Sequence, residues 1–245
     1  TWYLADDARR GAIEVAVAEA RASIETRPEF MVNLMAIDGA KDELAIYIRE
    51  TLPMDFPISS FDLDLDVMRA KVTEISAVKT ASVRIRPGGV LQIDVTQREA
   101  VVLWRNEDGL ALVDETGAYV AAATSRHARP DLPLIAGEGA NEHVTEALQL
   151  MQAAAPLGER LRGLVRMGDR RWDVVLDRDQ RILLPEVEPQ RALERVIALE
   201  GAQDILTRDL ARVDMRLARR PTVQMTTEAA EERLAQQAAF RAKNK

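Results

Sequence analysis

The chain has 245 residues, 47% hydrophobic and 30% charged, the balance of a soluble globular protein with one or two cored domains rather than a disordered one. Its net charge of −7 excludes a nucleic-acid scaffold, because phosphate binding needs a basic face. The absence of cysteine excludes disulfides, thiolate nucleophiles and cysteine metal sites.

The opening "TWYLADDARR" pairs Trp2 and Tyr3 with acids and arginines. That pattern fits the interface beside a membrane span, and equally two aromatics in a terminal loop. No run of about 18 apolar residues follows, and no stretch at the start reads as a signal peptide. Residues 5–26 predict a linker helix with a weak apolar stripe (Ile13, Val17, Ile24), closed by Arg27-Pro28.

From Glu29, "EFMVNLMAI" reads as a strand ended by the Asp38-Gly39 turn. Residues 41–52 place Leu44, Ile48 and Leu52 on one helical face. After Pro53 and Pro57, a second helix carries Leu65, Met68, Val72 and Ile75 on one stripe, with Asp62 or Asp64 as its N-cap. "ASVRIRPGGVLQIDV" then alternates apolar and polar residues on both sides of a Pro-Gly-Gly turn, which predicts a β-hairpin with one buried face. Strand, helix, helix, strand, strand is a three-stranded sheet under two helices.

After Glu99 the signals become short strands: 100–104, 110–113 and 118–122, with a turn at Asp114–Gly117. A loop containing Pro130 and Pro133 leads to a helix over 141–155. Strands follow at 163–167, 171–176 and 181–185, then a helix opened by Pro189 and running to about Leu199. Residues 212–217 and 222–225 read as the last two strands. The tail from Thr226 has little to bury and is expected to be frayed. The fold class is therefore α+β, with an N-terminal β-α-α-β-β domain (28–99) and a mainly antiparallel β-domain (100–225).

Catalytic constellations are not found. Ser125 and His127 fall in an Arg/Pro-rich loop, whereas a nucleophile and its base need spatial convergence, an orienting acid and an oxyanion pocket; the second histidine, His143, stands apart. Asp62, Asp64 and Asp66 resemble a calcium loop, but Val67 and Thr73 occupy the places of its Gly and Glu. Gly137 and Gly139 are followed by Glu142 where a dinucleotide fingerprint needs a third Gly. Asp173 and Asp177 flank a short hairpin and are expected to face water. No metal, cofactor or enzyme class is predicted. Arg170-Arg171 and Arg219-Arg220 read either as solvated surface or as a landing place for an acidic partner. The last strand leaves a sheet edge that is either blunted by Pro221 and its arginines or used to accept a partner's strand.

The run "FDLDLDVMRAKVTEISAVKTASVRIRPGGVLQIDVTQREAVVLW" resembles the POTRA domain, and the join to the following β-domain, of the FtsQ/DivIB family of bacterial cell-division proteins. The matching features are Phe61 to Leu65, Val78 to Ile85, the arginine-flanked turn and Arg98 to Trp104. "LVDETGAYV", "RWDVVL…ILLPE" and "RDLARVDMRL" continue the resemblance, which covers residues 29–225. It implies a non-enzymatic scaffold in the cell inner membrane, single-pass, with this region on the periplasmic side at the division septum. Its span lies outside this sequence, and residues 1–27 form a juxtamembrane linker. It implies partners as well: FtsB and FtsL at the β-domain edge, other divisome proteins through the POTRA domain, and a part in regulating septal peptidoglycan synthesis.

Carried over by position, the partner site comprises Leu217, Thr222, Val223 and Met225, with Arg170 or Arg171 pairing an acid on the partner. Two rival readings predict features not seen here. A POTRA-containing periplasmic chaperone for membrane or secreted proteins would show further repeats or a series of barrel strands. A cell-wall hydrolase would show a convergent acid pair or a metal cluster.

Overall fold

The chain is seen in a computed structural model that describes residues 14–17, 27–217 and 220–243. The linker helix expected over 5–26 lies mostly outside the described residues, as do Trp2 and Tyr3; residues 14–17 are helical. Two compact units divide between Arg98 and Glu99.

In the first unit, β1 (Met31–Val32) pairs antiparallel with β3 (Ile58–Ser59). β2 (Leu34–Asp38) runs parallel to β5 (Val90–Gln97), which pairs antiparallel with β4 (Val78–Arg86), giving the order β2-β5-β4. α1 (Asp42–Thr51) and α2 (Leu65–Thr73) supply the second layer. This is the β-α-α-β-β order expected above. The single strand anticipated from Glu29 is interrupted: a 3-10 turn holds Pro28–Phe30, and the Asn33 N–H leaves the ladder to meet the Gly89 carbonyl at 2.7 Å. Gly89 has φ +73, and a Cβ there would meet the Met31 carbonyl oxygen at 2.3 Å, so the Pro-Gly-Gly turn needs glycine at that place. Ile48, Val72, Leu91 and Ile93 are fully buried between helices and sheet, as the two periodicities require. Asp64 provides the α2 N-cap, its Oδ1 accepting from the Val67 N–H at 3.0 Å.

The second unit is built on one sheet of nine strands. They are β6 (Val102–Asn106), β7 (Gly109–Val113), β8 (Tyr119–Ala122), β9 (Leu134–Ala136), β10 (Leu161–Met167), β11 (Arg171–Leu176), β12 (Arg181–Leu183), β13 (Leu210–Asp214) and β14 (Thr222–Met225). Their spatial order is β14-β13-β12-β11-β10-β9-β6-β7-β8. Hairpin neighbours are antiparallel, while β9 is parallel to both β6 and β10, and β12 to β13. β9 falls in the stretch read from sequence as a Pro-rich loop. It joins the two halves of the sheet.

α3 (Val144–Ala153) and α4 (Pro189–Gln203) cover one face, where Leu150, Leu193 and Val196 meet Leu164, Trp172, Val174 and Ile182. α4 begins at Pro189 as expected but continues past Leu199 to Gln203. At the Asp114–Gly117 turn, Asp114 Oδ1 accepts from the Thr116 and Ala118 N–H groups, and Gly117 has φ +85. The tail is helical rather than irregular: α5 (Thr227–Lys243) is capped by Thr226, whose hydroxyl oxygen accepts from the Ala229 N–H at 3.3 Å. Residues 231–239 are exposed, which agrees with how little that stretch has to bury.

Candidate functional site

Among the described residues β14 ends the sheet and is hydrogen-bonded only to β13 among the strands. One bond sets its backbone phase: the Thr226 N–H donates to the Asp209 carbonyl at 2.9 Å. Alternate residues of a strand turn their backbone groups to the same side. Thr222 and Gln224 therefore face β13, while Val223 and Met225 direct theirs to the free edge. Pro221 shares the phase of Val223, so its missing N–H is lost from the edge and not from the ladder.

Side chains divide likewise. Val223 lies opposite Val213 on the helix-covered face, yet it is 58% exposed against 1% for Val213. Met225 is half-buried against the core, with Arg233 Nη1 at 3.7 Å from its sulfur. Thr222 and Gln224 are exposed on the other face, opposite Asp214 and Arg212. Leu217 departs from expectation. β13 stops at Asp214, Met215 is buried, and residues 216–217 form a bend. Arg216 causes the departure, because its guanidinium clamps the Asp214 carboxylate with contacts of 2.9 Å from Nε and 2.6 Å from Nη2. Leu217 is thus presented by the β13–β14 connection at 67% exposure. Arg219 lies outside the described residues.

Arg170 occupies the exposed β10–β11 turn, and Arg171 opens β11 on the face away from the helices. Three strand spacings, about 14 Å, separate Arg171 from β14. The registers Asp173↔Leu183↔Asp214↔Thr222 place Arg171 at the same sheet end as Arg216 and the β13–β14 connection. The carried-over residues therefore form an edge and a corner rather than one cluster.

Asp173 is where the structure corrects the sequence reading most clearly. It does not face water but is 7% exposed. Arg181 Nη1 lies 3.8 Å from its Oδ2, and Arg181 stands directly opposite Arg212 on the next strand. Burial pushes the Asp173 carboxyl up from its ordinary range, against the pull of Arg181, Arg171, Arg216 and Arg212. The Arg216 clamp instead holds Asp214 below the usual carboxylate range. Arg181, Arg212 and Arg216 were missed from sequence. Alternation along each strand puts Arg181 and Arg212 on one face, but only the β11-β12-β13 order makes them neighbours, and Arg216 joins them from the bend after β13. Asp177 also departs from expectation, being half-buried and bound by Arg160 at 3.2 Å.

Among the described residues no group of three or more His, Asp or Glu side chains is placed to hold a metal. His127 sits in a 3-10 turn after Ser125, and His143 Nε2 lies 3.7 Å from Asp169 Oδ1. No described helix is long and apolar enough to cross a membrane. The surface this unit offers is an open strand flanked by an arginine-rich sheet face.

Comparison with known proteins agrees with the architecture. The family described as "Cell division protein FtsQ/DivIB, C-terminal" matches residues 102–216. Relatives named "Cell division protein FtsQ" include one from Roseobacter litoralis, 63% identical over 92% of this chain and 77% of the relative. Another, from Cereibacter sphaeroides, is 50% identical over 89% of this chain and 70% of the relative. A more distant one, from Rhizobium meliloti, is 28% identical over 85% and 67%.

Proposed function

The chain belongs to the FtsQ/DivIB family of cell-division proteins, and from that premise we propose that it is a non-enzymatic scaffold of the divisome. It works at the inner membrane with this region on the periplasmic side. The first unit recruits other divisome proteins, and the second binds the FtsB–FtsL pair. Through that bridge the protein helps regulate septal peptidoglycan synthesis.

The observation that carries this reading is the free edge of β14. Its outward backbone groups at Val223 and Met225 offer main-chain hydrogen bonds to an added strand. Val223 gives that strand an apolar neighbour on one face. Thr222 and Gln224 give it polar neighbours on the other, and Arg171 and Leu217 lie at the corner where the partner chain would enter or leave.

The test is a titration of the periplasmic FtsB–FtsL pair into the parent and into Val223→Pro. The lost N–H points outward, so the variant keeps its β13–β14 ladder while the edge loses a donor. A saturable parent isotherm with affinity weakened about tenfold or more in the variant is the expected result. Equal affinity for both proteins moves the partner site away from β14.

A further inference from the structure

The second unit contains a partly buried polar knot, centred on Gln180, that lies away from the edge. Gln180 is 1% exposed and stands one residue before β12. Its Nε2 donates to the Leu210 carbonyl at 3.0 Å, and its Oε1 accepts from Arg160 Nη2 at 3.0 Å. Arg160 also donates to Asp177 Oδ1 at 3.2 Å, Glu200 Oε1 at 3.4 Å and the Leu206 carbonyl at 2.9 Å. The second oxygen of Glu200 accepts from the Leu206 N–H. The connection from α4 to β13 is thereby gripped at Leu206 and again at Leu210.

Leu210 is where β13 changes register against β14. Leu210 is opposite Met225 and Arg212 opposite Gln224, so Ala211 is an extra residue, a β-bulge. Leu210 and Val213 are three apart and would point to opposite faces of a regular strand. With the bulge both are buried, at 9% and 1% exposure. The β12–β13 ladder begins at Arg181↔Arg212, and beyond its end the Gln180 side-chain amide supplies the donor for the Leu210 carbonyl.

We propose that Gln180, oriented by Arg160, is the positioning residue for the partner edge: by pinning the β13 bulge it sets the register of β14. That register decides which backbone groups and side chains an incoming strand meets. A bulge that is free to migrate gives β14 alternative registers, and a one-residue slip exchanges the two faces of a strand. The inference rests on the edge-strand reading above.

The experiment compares the parent chain with Gln180→Met, which has similar length but no donor and only a weak sulfur acceptor, and with Gln180→Glu. The latter keeps an acceptor for Arg160 and loses the donor to Leu210. Amide hydrogen exchange is followed across the sheet, and each protein is titrated with the FtsB–FtsL pair. Both variants are expected to speed exchange in β13 and β14 by about tenfold or more while β6, β7 and β8 keep parental rates. Their partner complexes should dissociate correspondingly faster. Uniform acceleration across the sheet, or unchanged exchange in β13 and β14, overturns the proposal. So does parental affinity in a variant whose β13–β14 hairpin has loosened. A parent that binds no partner at all sinks the edge reading itself, and the positioning role with it. That outcome is distinct from the others, in which the parent binds.

Discussion

Asp173 and Glu146 show how single charged side chains are handled under this sheet. The Asp173 carboxyl is pushed up by burial, so its proton is held more tightly in the folded protein than in the unfolded chain. Its ionisation therefore costs stability as pH rises through the folded value, and the cost disappears below the unfolded one. Asp173→Asn removes that cost. The variant should melt higher than the parent at neutral pH by a few degrees, and the difference should shrink toward zero in acid, as thermal scans across pH would show. Glu146 shows the other arrangement, a carboxylate held by direct donors. Its Oε2 accepts from both Arg166 Nη1 and Trp172 Nε1 at 2.9 Å, and the Arg166 guanidinium lies 5.1 Å from the Trp172 ring centroid. The Arg166 side chain is only 5% exposed, so removal of its partner leaves a buried charge. Glu146→Leu should cost about 3 kcal/mol in denaturant unfolding.

Edge strands depend on phase, and β14 makes that dependence testable. Val223 and Gln224 are adjacent, but their N–H groups point to opposite sides. Gln224→Pro removes a bond to β13 and should unfold the hairpin locally, with fast exchange at Arg212 and Asp214, whose backbone groups face β14. Val223→Pro should leave those amides protected while losing the partner. If both prolines loosen β13 equally, the phase drawn from the Thr226–Asp209 bond is wrong. In the positioning role proposed for Gln180, pinning the β13 bulge is what holds this phase. Helix elements are simpler. The stripe Leu44, Ile48, Leu52 and the stripe Met68, Val72 bury the faces their spacing anticipates, since an amphipathic helix has one way to hide its apolar side.

At the scale of the whole molecule, the two units have separate hydrophobic cores, one around Ile48, Val72 and Ile93 and the other around Trp172, Leu193 and Ile182. Residues 99–245 expressed alone should fold, with a cooperative melt, and should bind the FtsB–FtsL pair with the affinity of the full chain. Loss of binding in a folded fragment would assign part of the partner surface to the first unit.

The sequence by itself determined the elements whose signals are local. Periodicity placed α1 and α2, alternation about Pro-Gly-Gly placed the β4–β5 hairpin, and Pro189 placed the start of α4, because each pattern reports burial within a few neighbouring residues. The carried-over edge residues Thr222, Val223 and Met225 were placed on one strand for the same reason. Only the tertiary structure decided what depends on neighbours distant in the chain. β9, three residues long and directly after Pro133, becomes a strand because β6 and β10 supply hydrogen bonds on both sides. Asp173 lies buried among arginine charges because the sheet order brings Arg181 from β12, and Arg212 and Arg216 from β13 and the bend after it, to the strand that carries it. The Gln180 amide meets the Leu210 carbonyl at the β13 bulge thirty residues away, and no local pattern encodes a contact of that separation.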